Sequence, residues 1–494
     1  MGNKKFAVSF EKPELIVPAN PTPHEIKLLS DIDDQHGLRL HFSITMFYDI
    51  NNIIPNSSII RGSKEDPVWI IKEAIAKALV YYYPIAGRLI EGPNKKLIVN
   101  CNGEGILFVE AHADVRIKQL QDVNVMYELP CPKEFLVDIP SSLSIVACPL
   151  MLIQVTRLKC GGLVLGIRLN HVISDAVGII QFLNAVSQMA KAGSSPRPPS
   201  PLPTWNREIF VARNPPSPLF FHYEYDVVSS GEEEKVPEIM KSVPETEPLI
   251  RQSFFFGPKE IQAIKDHLLC LQTQSTKDPT QGAAGAPKHL GRFELITAFL
   301  WKSRTKALKL DEHNEDVSLV IAMNFRGKRF PELPPNININ INGYYGNAIV
   351  SPAAVTKAKT LCNSPLIYAI ELLKKTKGKV NHDYVKSAVD FMALHGKPRF
   401  GRKDSWIVSD ISRIGYREVD FGWGKPIHAA MEGGLFSTMS PYNYSRNIQG
   451  EEGLLVPIGL PVSAMDRFKE EIGKVITHLP FQEPKNLRTL PSML

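Results

Sequence analysis

Runs of hydrophobic residues at two different spacings predict a mixed α/β protein. Residues 151–158 and 163–169 are β-rich hydrophobic runs separated by a turn with two glycines, which predicts a hairpin. The second run is apolar at nearly every position, as in a strand that is buried on both faces. Residues 176–193 follow with apolar positions at helical spacing and a closing glycine, which predicts a helix. A buried strand therefore leads into a helix near residue 171.

Similar patterns recur in both halves of the chain. In the first half, residues 66–83 place apolar side chains on one helical face and stop at a proline, and two short β-rich runs flank a glycine-containing turn. The alternating Asn and Ile of residues 336–342 fits either β structure or an exposed loop. The other predicted elements are strands at 95–99, 106–111, 316–325 and 404–411 and helices at 292–308 and 365–380.

A proline-rich stretch divides these elements into two sets. Residues 196–220 hold many prolines, which suit neither a helix interior nor a central strand, so we predict an extended connector. The predicted organisation is a first domain at 1–195, this connector, and a second domain at 221–494. A chain of 494 residues is long enough for two such cores.

The composition argues against several classes of protein. The net charge of +6 comes from basic residues scattered along the chain, which is unlike a nucleic-acid surface. The six cysteines form no Cys-x-x-Cys pair, so neither a zinc site nor a disulfide framework is indicated. No apolar run reaches the ~18 residues of a membrane-spanning helix, and the start of the chain does not resemble a secretory signal. We expect a soluble intracellular protein without a membrane partner and, since no coiled-coil pattern is present, a monomer.

A histidine and an aspartate lie where the buried strand leads into the helix. Asp175 suits a helix N-cap, and that structural role leaves His171 unexplained. A metal site would need further ligands at fixed spacing, and a serine hydrolase would need a Gly-x-Ser-x-Gly turn; neither is present. His171 is therefore either a structural residue or a general base that deprotonates a substrate hydroxyl directly, and its position at a strand end favours the second interpretation.

Two short motifs carry a family resemblance. Residues 171–175, HVISD, match an HxxxD motif, and residues 420–424, DFGWG, match a second motif near the end of the chain. With both motifs in this order, the chain resembles the plant BAHD acyl-CoA-dependent acyltransferases over nearly its full length. The stretches PELIVPANPTPHEIKLLSDID, YYYPIAGRL and NCNGEGILFVEA resemble in particular the branch of benzyl alcohol O-benzoyltransferases.

The resemblance implies a fold and a set of substrates. The fold would be α/β, with two domains similar to chloramphenicol acetyltransferase, each half a mixed β-sheet with helices and a channel between the halves. No metal and no permanently bound cofactor would be needed, because acyl-CoA is a co-substrate that brings the acyl group. The partners would be small molecules, an acyl-CoA and an alcohol, which would meet at His171 from opposite ends of the channel.

The resemblance also assigns roles to single residues. His171 would take the proton of the acceptor hydroxyl and return it to the departing CoA thiolate, and Asn347 would be a second catalytic residue, a donor to the oxyanion. Asp175 would point away from the acceptor and pair with Arg326, and Asp420 would support the site structurally. The two residues implied near the pantetheine arm of CoA are Ser409 and Asp410.

The implied activity is the transfer of a benzoyl group from benzoyl-CoA to benzyl alcohol, which forms benzyl benzoate. Within the same family the alternatives are an acetyl-CoA or other aliphatic donor, and a hydroxycinnamoyl or anthraniloyl donor. From a different class, the chain could be a catalytically silent homologue that binds acyl-CoA or another protein. The intact pair of His171 and Asp175 argues against the silent homologue.

The last three residues, Ser492-Met493-Leu494, differ from a peroxisomal Ser-Lys-Leu signal only in the middle position. We therefore expect recognition by a peroxisomal import receptor, with the cytoplasm as the alternative location. A fluorescent protein fused to the N-terminus should gather in peroxisomes with the tripeptide and spread through the cytoplasm without it, as seen by microscopy. Diffuse fluorescence from both fusions would contradict the expectation.

Overall fold

The computed structural model describes most of the chain. The Asn/Ile run at 336–342 and the C-terminal tripeptide lie outside the described residues, so the expectations about them stay as they are. The described residues are 6–50, 66–122, 133–138, 145–193, 197–226, 247–275, 290–313, 315–328, 343–401, 405–432, 439–447 and 449–476.

Both halves contain strands and helices. The strands are β1 (Val8–Phe10), β2 (Glu14–Ile16), β3 (Ile26–Leu28), β4 (His41–Tyr48), β5 (Arg88–Glu91), β6 (Leu97–Asn100), β7 (Ile106–Ala113), β8 (Met151–Leu158), β9 (Leu163–Asn170), β10 (Tyr225–Asp226), β11 (Leu249–Phe256), β12 (Asp316–Asn324), β13 (Ile349–Val350), β14 (Ala353–Lys357), β15 (Arg399–Phe400), β16 (Trp406–Asp410), β17 (His428–Glu432), β18 (Met439–Arg446) and β19 (Glu452–Pro461). The helices are α1 (Pro67–Tyr81), α2 (Ile117–Asp122), α3 (Ala176–Ala192), α4 (Pro258–Ser275), α5 (Arg292–Ala307), α6 (Leu310–His313), α7 (Ala358–Asn363), α8 (Leu366–Gly378), α9 (His382–His395) and α10 (Val462–Gly473).

The first large sheet leads to the histidine of the HxxxD motif. Its strands lie in the order β1-β7-β8-β9-β4-β17, with β2 also paired to β7. The predicted hairpin is confirmed as β8 and β9, which pair antiparallel with Met151 opposite Leu169. All of β9 except Arg168 is buried, as its continuous hydrophobic run predicts. α1 and α3 pack in the same hydrophobic core as this sheet, with Leu79 and Phe182 inaccessible to solvent.

The second large sheet has the order β11-β19-β18-β16-β12-β13, with β14 also paired to β12. It is mixed, because β16 lies parallel to both of its neighbours while the outer pairs are antiparallel. Side chains of α5, α8 and α10 share a core with this sheet, in which Trp301 and Phe468 are fully buried. In the part of the chain that the structure describes, no helix is long and apolar enough to cross a membrane.

Two smaller sheets complete the described structure, in the orders β3-β6-β5 and β10-β15. The predicted strands on either side of the NCNGEG turn are present as β6 and β7. They do not pair with each other, since β6 lies in a small sheet and β7 in the first large one. The turn between them therefore joins two layers and is not a hairpin.

One strand from the end of the chain crosses into the first sheet. β17 pairs with β4, with Ala430 opposite Thr45, whereas the next strand, β18, belongs to the second sheet. Between these two strands the side chain of Asn443 accepts a hydrogen bond from the backbone N–H of Met431 (2.9 Å) and donates one to its carbonyl oxygen (3.2 Å). The domain limits at 195 and 221 stay a prediction, and the first sheet draws a strand from beyond them.

The connector is anchored to α9 by a row of buried polar side chains. His222 lies between Glu224 and Ser387, with its Nδ1 2.8 Å from Glu224 Oε1 and its Nε2 2.9 Å from Ser387 Oγ. Ser387 is inaccessible to solvent, and its Oγ also accepts hydrogen bonds from two backbone N–H groups of the connector. This serine–histidine–glutamate row therefore holds the connector in place, and its three side chains are buried.

Candidate active site

His171 lies at the turn that joins β9 to α3. Its backbone N–H donates to the carbonyl oxygen of Leu40 (2.8 Å), and Asn170 Oδ1 accepts a hydrogen bond from Val172 N–H at 3.2 Å. The imidazole packs against Phe42, with ring centroids 4.8 Å apart. The strand end and the helix start thus fix both sides of a short loop, and His171 is held at its first position.

The ring of His171 has one nitrogen engaged with the protein. Nδ1 lies 3.1 Å from Oδ1 of Asn347, which can only accept a hydrogen bond, so Nδ1 carries a proton and Nε2 of the neutral ring has a free lone pair. Burial lowers the pKa of His171 below its ordinary value, although the hydrogen bond to Asn347 and the charges of Asp175 and Asp33 oppose that effect. The ring is therefore neutral near pH 7, as a general base must be.

The side chain of Asn347 is engaged with the protein in this structure, and its expected role at the oxyanion stays a prediction. Both N–H groups of its side chain are already engaged, one with Asp33 Oδ1 (2.9 Å) and one with the carbonyl oxygen of His171 (2.8 Å). Both donors of this amide are therefore taken in this structure. Asn347 is close to His171, as expected, and its Oδ1 contacts the ring of the histidine.

Asp175 is the N-cap of α3 and is turned away from the His171 ring nitrogens. Its Oδ1 accepts hydrogen bonds from the N–H groups of Val177 (3.1 Å) and Gly178 (2.9 Å). Its Oδ2 accepts from Ala348 N–H at 2.9 Å and forms an ion pair with Arg326 Nη1 at 2.6 Å. Burial alone would raise the pKa of Asp175, but Arg326 and the backbone N–H groups outweigh it and hold the pKa below its ordinary value.

A largely apolar cavity opens beside His171 and is lined by both halves of the chain. None of the described residues that line it is Asp, Glu, Lys or Arg. The polar side chains in the wall are Gln35, Ser351 and Ser409, and Gln35 is held by a hydrogen bond from Tyr225 (2.8 Å). The larger apolar lining residues include Leu40, Phe42, Phe400, Ile411, Met431 and Met439.

The remaining predicted residues fall into two groups. Ser409 lines the cavity, whereas Asp410 is exposed at the end of β16, where its Oδ1 accepts hydrogen bonds from the N–H and hydroxyl of Ser412. Asp420 lies outside the cavity lining; its Oδ1 accepts from the N–H groups of Gly422 and Gly424, both at 2.8 Å. Both glycines have positive φ, so residues 420–424 form a tight corner, and that corner is bonded to α3 through Ser187.

Known proteins are similar to this chain over nearly its full length. A family model described as the Transferase family matches residues 6–475. The chain is 43% identical to benzyl alcohol O-benzoyltransferase of Petunia hybrida, over 95% of this chain and 94% of that protein. It is 44% identical to the benzyl alcohol O-benzoyltransferase of Nicotiana tabacum, over 94% of this chain and 93% of that protein. The chain belongs to the BAHD acyltransferase family.

One further relative and two solved structures are also similar to this chain. Alcohol acyl transferase 1 (allele RGb) of Malus domestica is 43% identical over 96% of this chain and 95% of its own. Vinorine synthase superposes with a TM-score of 0.66 at 20% identity, over 95% of this chain and 98% of that one. F. graminearum TRI101, in a complex with coenzyme A and deoxynivalenol, gives 0.66 at 16% identity over 91% and 99%. The expected α/β acyltransferase fold is confirmed, and this BAHD enzyme is an acyl-CoA:alcohol O-acyltransferase.

Two buried residues next to the site of this BAHD enzyme were not predicted from the sequence. Asp33 and Arg207 form an ion pair at 2.5 Å behind Asn347, and both side chains are almost inaccessible to solvent. Asp33 is one of three aspartates in the stretch DIDD, and Arg207 follows the prolines of the connector. Asp33 ends the stretch PELIVPANPTPHEIKLLSDID, which carries part of the family resemblance, but nothing in the sequence pairs it with Arg207 or places either residue at the site.

We predict that the ion pair of Asp175 and Arg326 holds the histidine loop. Asp175→Ala and Arg326→Ala should each lower the free energy of unfolding by about 3–5 kcal/mol, because each leaves the other charge buried without its partner. Urea denaturation followed by fluorescence measures this, and activity should fall with folding yield. Arg446→Ala, which removes a largely exposed ion pair with Glu452, is the control. Unchanged midpoints in both site variants would show that the pair is not a brace.

Proposed function

We propose that this enzyme transfers the benzoyl group of benzoyl-CoA to benzyl alcohol and releases benzyl benzoate and CoA. The observation that carries the proposal is His171 in the wall of an apolar cavity, with Nδ1–H bonded to Asn347 and Nε2 left for the substrate. Two benzoyltransferase relatives at 43% and 44% identity support the choice of substrates.

The reaction needs one base and no protein nucleophile. His171 Nε2 takes the proton of the alcohol as its oxygen attacks the thioester carbonyl, so that a C–O bond forms and negative charge moves to the carbonyl oxygen. The tetrahedral intermediate collapses, the C–S bond breaks, and the proton on Nε2 passes to the departing CoA sulfur. The ester and free CoA thiol are the products, and His171 is neutral again.

The walls of the cavity suit an uncharged aromatic substrate. Phe42 and Phe400 offer ring faces and edges to a phenyl group, and Met431 and Met439 are flexible enough to fill the space around it. No basic side chain among the described lining residues could pair with a carboxylate on the acyl group. The wall therefore favours a benzoyl over a dicarboxylic acyl donor.

An aliphatic alcohol acyltransferase is the second candidate. The Malus domestica relative is named an alcohol acyl transferase and is as similar as the Petunia protein, at 43% identity. The two methionines of the wall would also accommodate a linear chain, since their side chains adapt to irregular shapes. The donor and acceptor together decide between these two activities.

A thiol-release assay on the purified enzyme distinguishes them. Benzoyl-CoA and acetyl-CoA are each offered with benzyl alcohol and with a straight-chain alcohol, and free CoA and ester are measured. We expect the highest kcat/KM for benzoyl-CoA with benzyl alcohol. Higher values for acetyl-CoA with the straight-chain alcohol would keep the chemistry and replace the benzoyl assignment by the aliphatic one.

We predict that His171→Ala lowers kcat by roughly 100- to 10,000-fold, since general-base catalysis contributes that factor. The thiol-release assay with benzoyl-CoA and benzyl alcohol measures it. His24→Ala, at an exposed histidine away from the cavity, is the matched control and should keep normal turnover. Near-normal turnover in a folded His171→Ala variant would mean that another group is the base.

A further inference from the structure

A buried carboxylate lies directly behind the asparagine that contacts His171. Asp33 is inaccessible to solvent, and its Oδ1 accepts hydrogen bonds from the backbone N–H (3.1 Å) and the side-chain Nδ2 (2.9 Å) of Asn347. Its Oδ2 accepts from the backbone N–H (3.0 Å) and the hydroxyl (2.6 Å) of Ser30. Asp33 accepts in each of these contacts, as an ionised carboxylate does.

The charge of Asp33 is balanced by an arginine that also holds the histidine loop. Arg207 Nη1 donates to Asp33 Oδ1 at 2.5 Å, and Nη2 donates to the carbonyl oxygen of Ile173, inside the HxxxD loop, at 2.7 Å. The guanidinium is buried, 4.3 Å from the centroid of the Trp205 ring. A Cβ on Gly346 would lie only 1.9 Å from Nη1, so the glycine makes room for the arginine.

We propose that Asp33 and Arg207 are positioning residues of the reaction, which act through Asn347 to keep the proton of neutral His171 on Nδ1. The proposal rests on the proposed function, in which His171 is the base. Arg207 pairs with the buried carboxylate, Asp33 fixes the amide of Asn347, and the amide fixes the imidazole.

Asn347 alone could not select the nitrogen that carries the proton. The two ends of its amide have nearly the same shape, but one donates and the other accepts hydrogen bonds. If the amide turned over, Nδ2 would face Nδ1 of His171 and the proton would move to Nε2, the atom that must accept the proton of the alcohol. Asp33 opposes that orientation together with the carbonyl oxygen of His171, because each of these acceptors would then face the amide oxygen.

The same contacts favour the cation that forms during the reaction. When His171 takes up a proton, its Nδ1–H bond to Asn347 becomes charge-assisted and therefore stronger. Among the described residues the charged groups around the ring are Asp33 with Arg207 and Asp175 with Arg326, and the two carboxylates raise the pKa of His171 against its burial. Removal of the Asp33 charge therefore makes His171 harder to protonate.

The first test measures the proton position in the unmodified enzyme. Long-range ¹H–¹⁵N spectra of ¹⁵N-histidine-labelled protein distinguish protonated from unprotonated ring nitrogens, and the signals of His171 are those lost in His171→Gln. We expect a protonated Nδ1 and an unprotonated Nε2 at neutral pH. A proton on Nε2 would overturn the proposal, and this result does not depend on any variant of Asp33 being folded.

The second test compares Asp33→Asn with Asp390→Asn. Asp390 is a matched control: it is buried and paired with Arg213 at 2.7 Å, and it accepts hydrogen bonds from Arg213 and Ser217 of the connector, away from the site. Asp33→Asn should lower kcat about 10- to 100-fold with KM little changed, since it lets the Asn347 amide turn over without touching substrate. The acid limb of the pH profile of kcat should move to lower pH, because the lost charge lowers the pKa of His171.

Each outcome decides between a positioning role and a purely structural one. An equal loss of kcat in both variants, with the wild-type pH profile and the proton still on Nδ1 in Asp33→Asn, would overturn the proposal. It would leave the base assignment of His171 intact. Full activity of His171→Ala would instead remove the proposed mechanism, whatever the ring proton position. The two failures are therefore distinguishable.

Discussion

The carboxylate of Asp175 is the contact on which the site depends. One oxygen caps α3, which belongs to the first half, and the other binds Arg326 and Ala348, which follow the proline-rich connector. Both oxygens are buried with their partners, so the geometry allows little adjustment. Because His171 precedes Asp175 by four residues, the joint that unites the halves also sets the position of the base.

The residues that contact one another in series behind the imidazole come alternately from different parts of the chain. His171 comes from the first half, Asn347 from the second, and Asp33 from the first again. Arg207, from the connector, closes the series and returns to the histidine loop through Ile173. A base with a defined proton position therefore exists only when all three parts of the chain are packed together. The reactive form of the histidine therefore depends on complete tertiary folding of this enzyme.

The sequence predicts those features of the site that are local. The strand before His171, the cap at Asp175 and the helix after it follow from hydrophobic spacing and cap chemistry within about twenty residues. The pairing of Asp175 with Arg326 spans 151 positions and comes only from the family resemblance. The direction of the Asn347 amide could not be predicted, because it depends on partners such as Asp33, which is far away in the sequence.

The burial and the partner of Arg207 could not be predicted from the sequence, for a different reason. It lies in a segment whose prolines predict a connector, and linkers rarely hold buried charges. The NCNGEG turn is a similar case: both flanking strands are present, but which sheet each one joins depends on neighbours brought from elsewhere. The strands beside the NCNGEG turn were predictable, whereas Arg207 begins a short 3-10 helix (Arg207–Phe210) inside the connector predicted as extended. In neither case was the tertiary partner predictable.

The crossing strand β17 has a consequence for the order in which the protein is made. The strand β4 is complete once residue 48 has left the ribosome, but the strand that covers its outer edge is residues 428–432. Nearly the whole polypeptide must be translated before that edge is paired, and an unpaired strand edge is a template for association with other chains. The nascent first half therefore has an unpaired, association-prone strand edge until residues 428–432 are made. Chaperones that shield strand edges would act on it during that time.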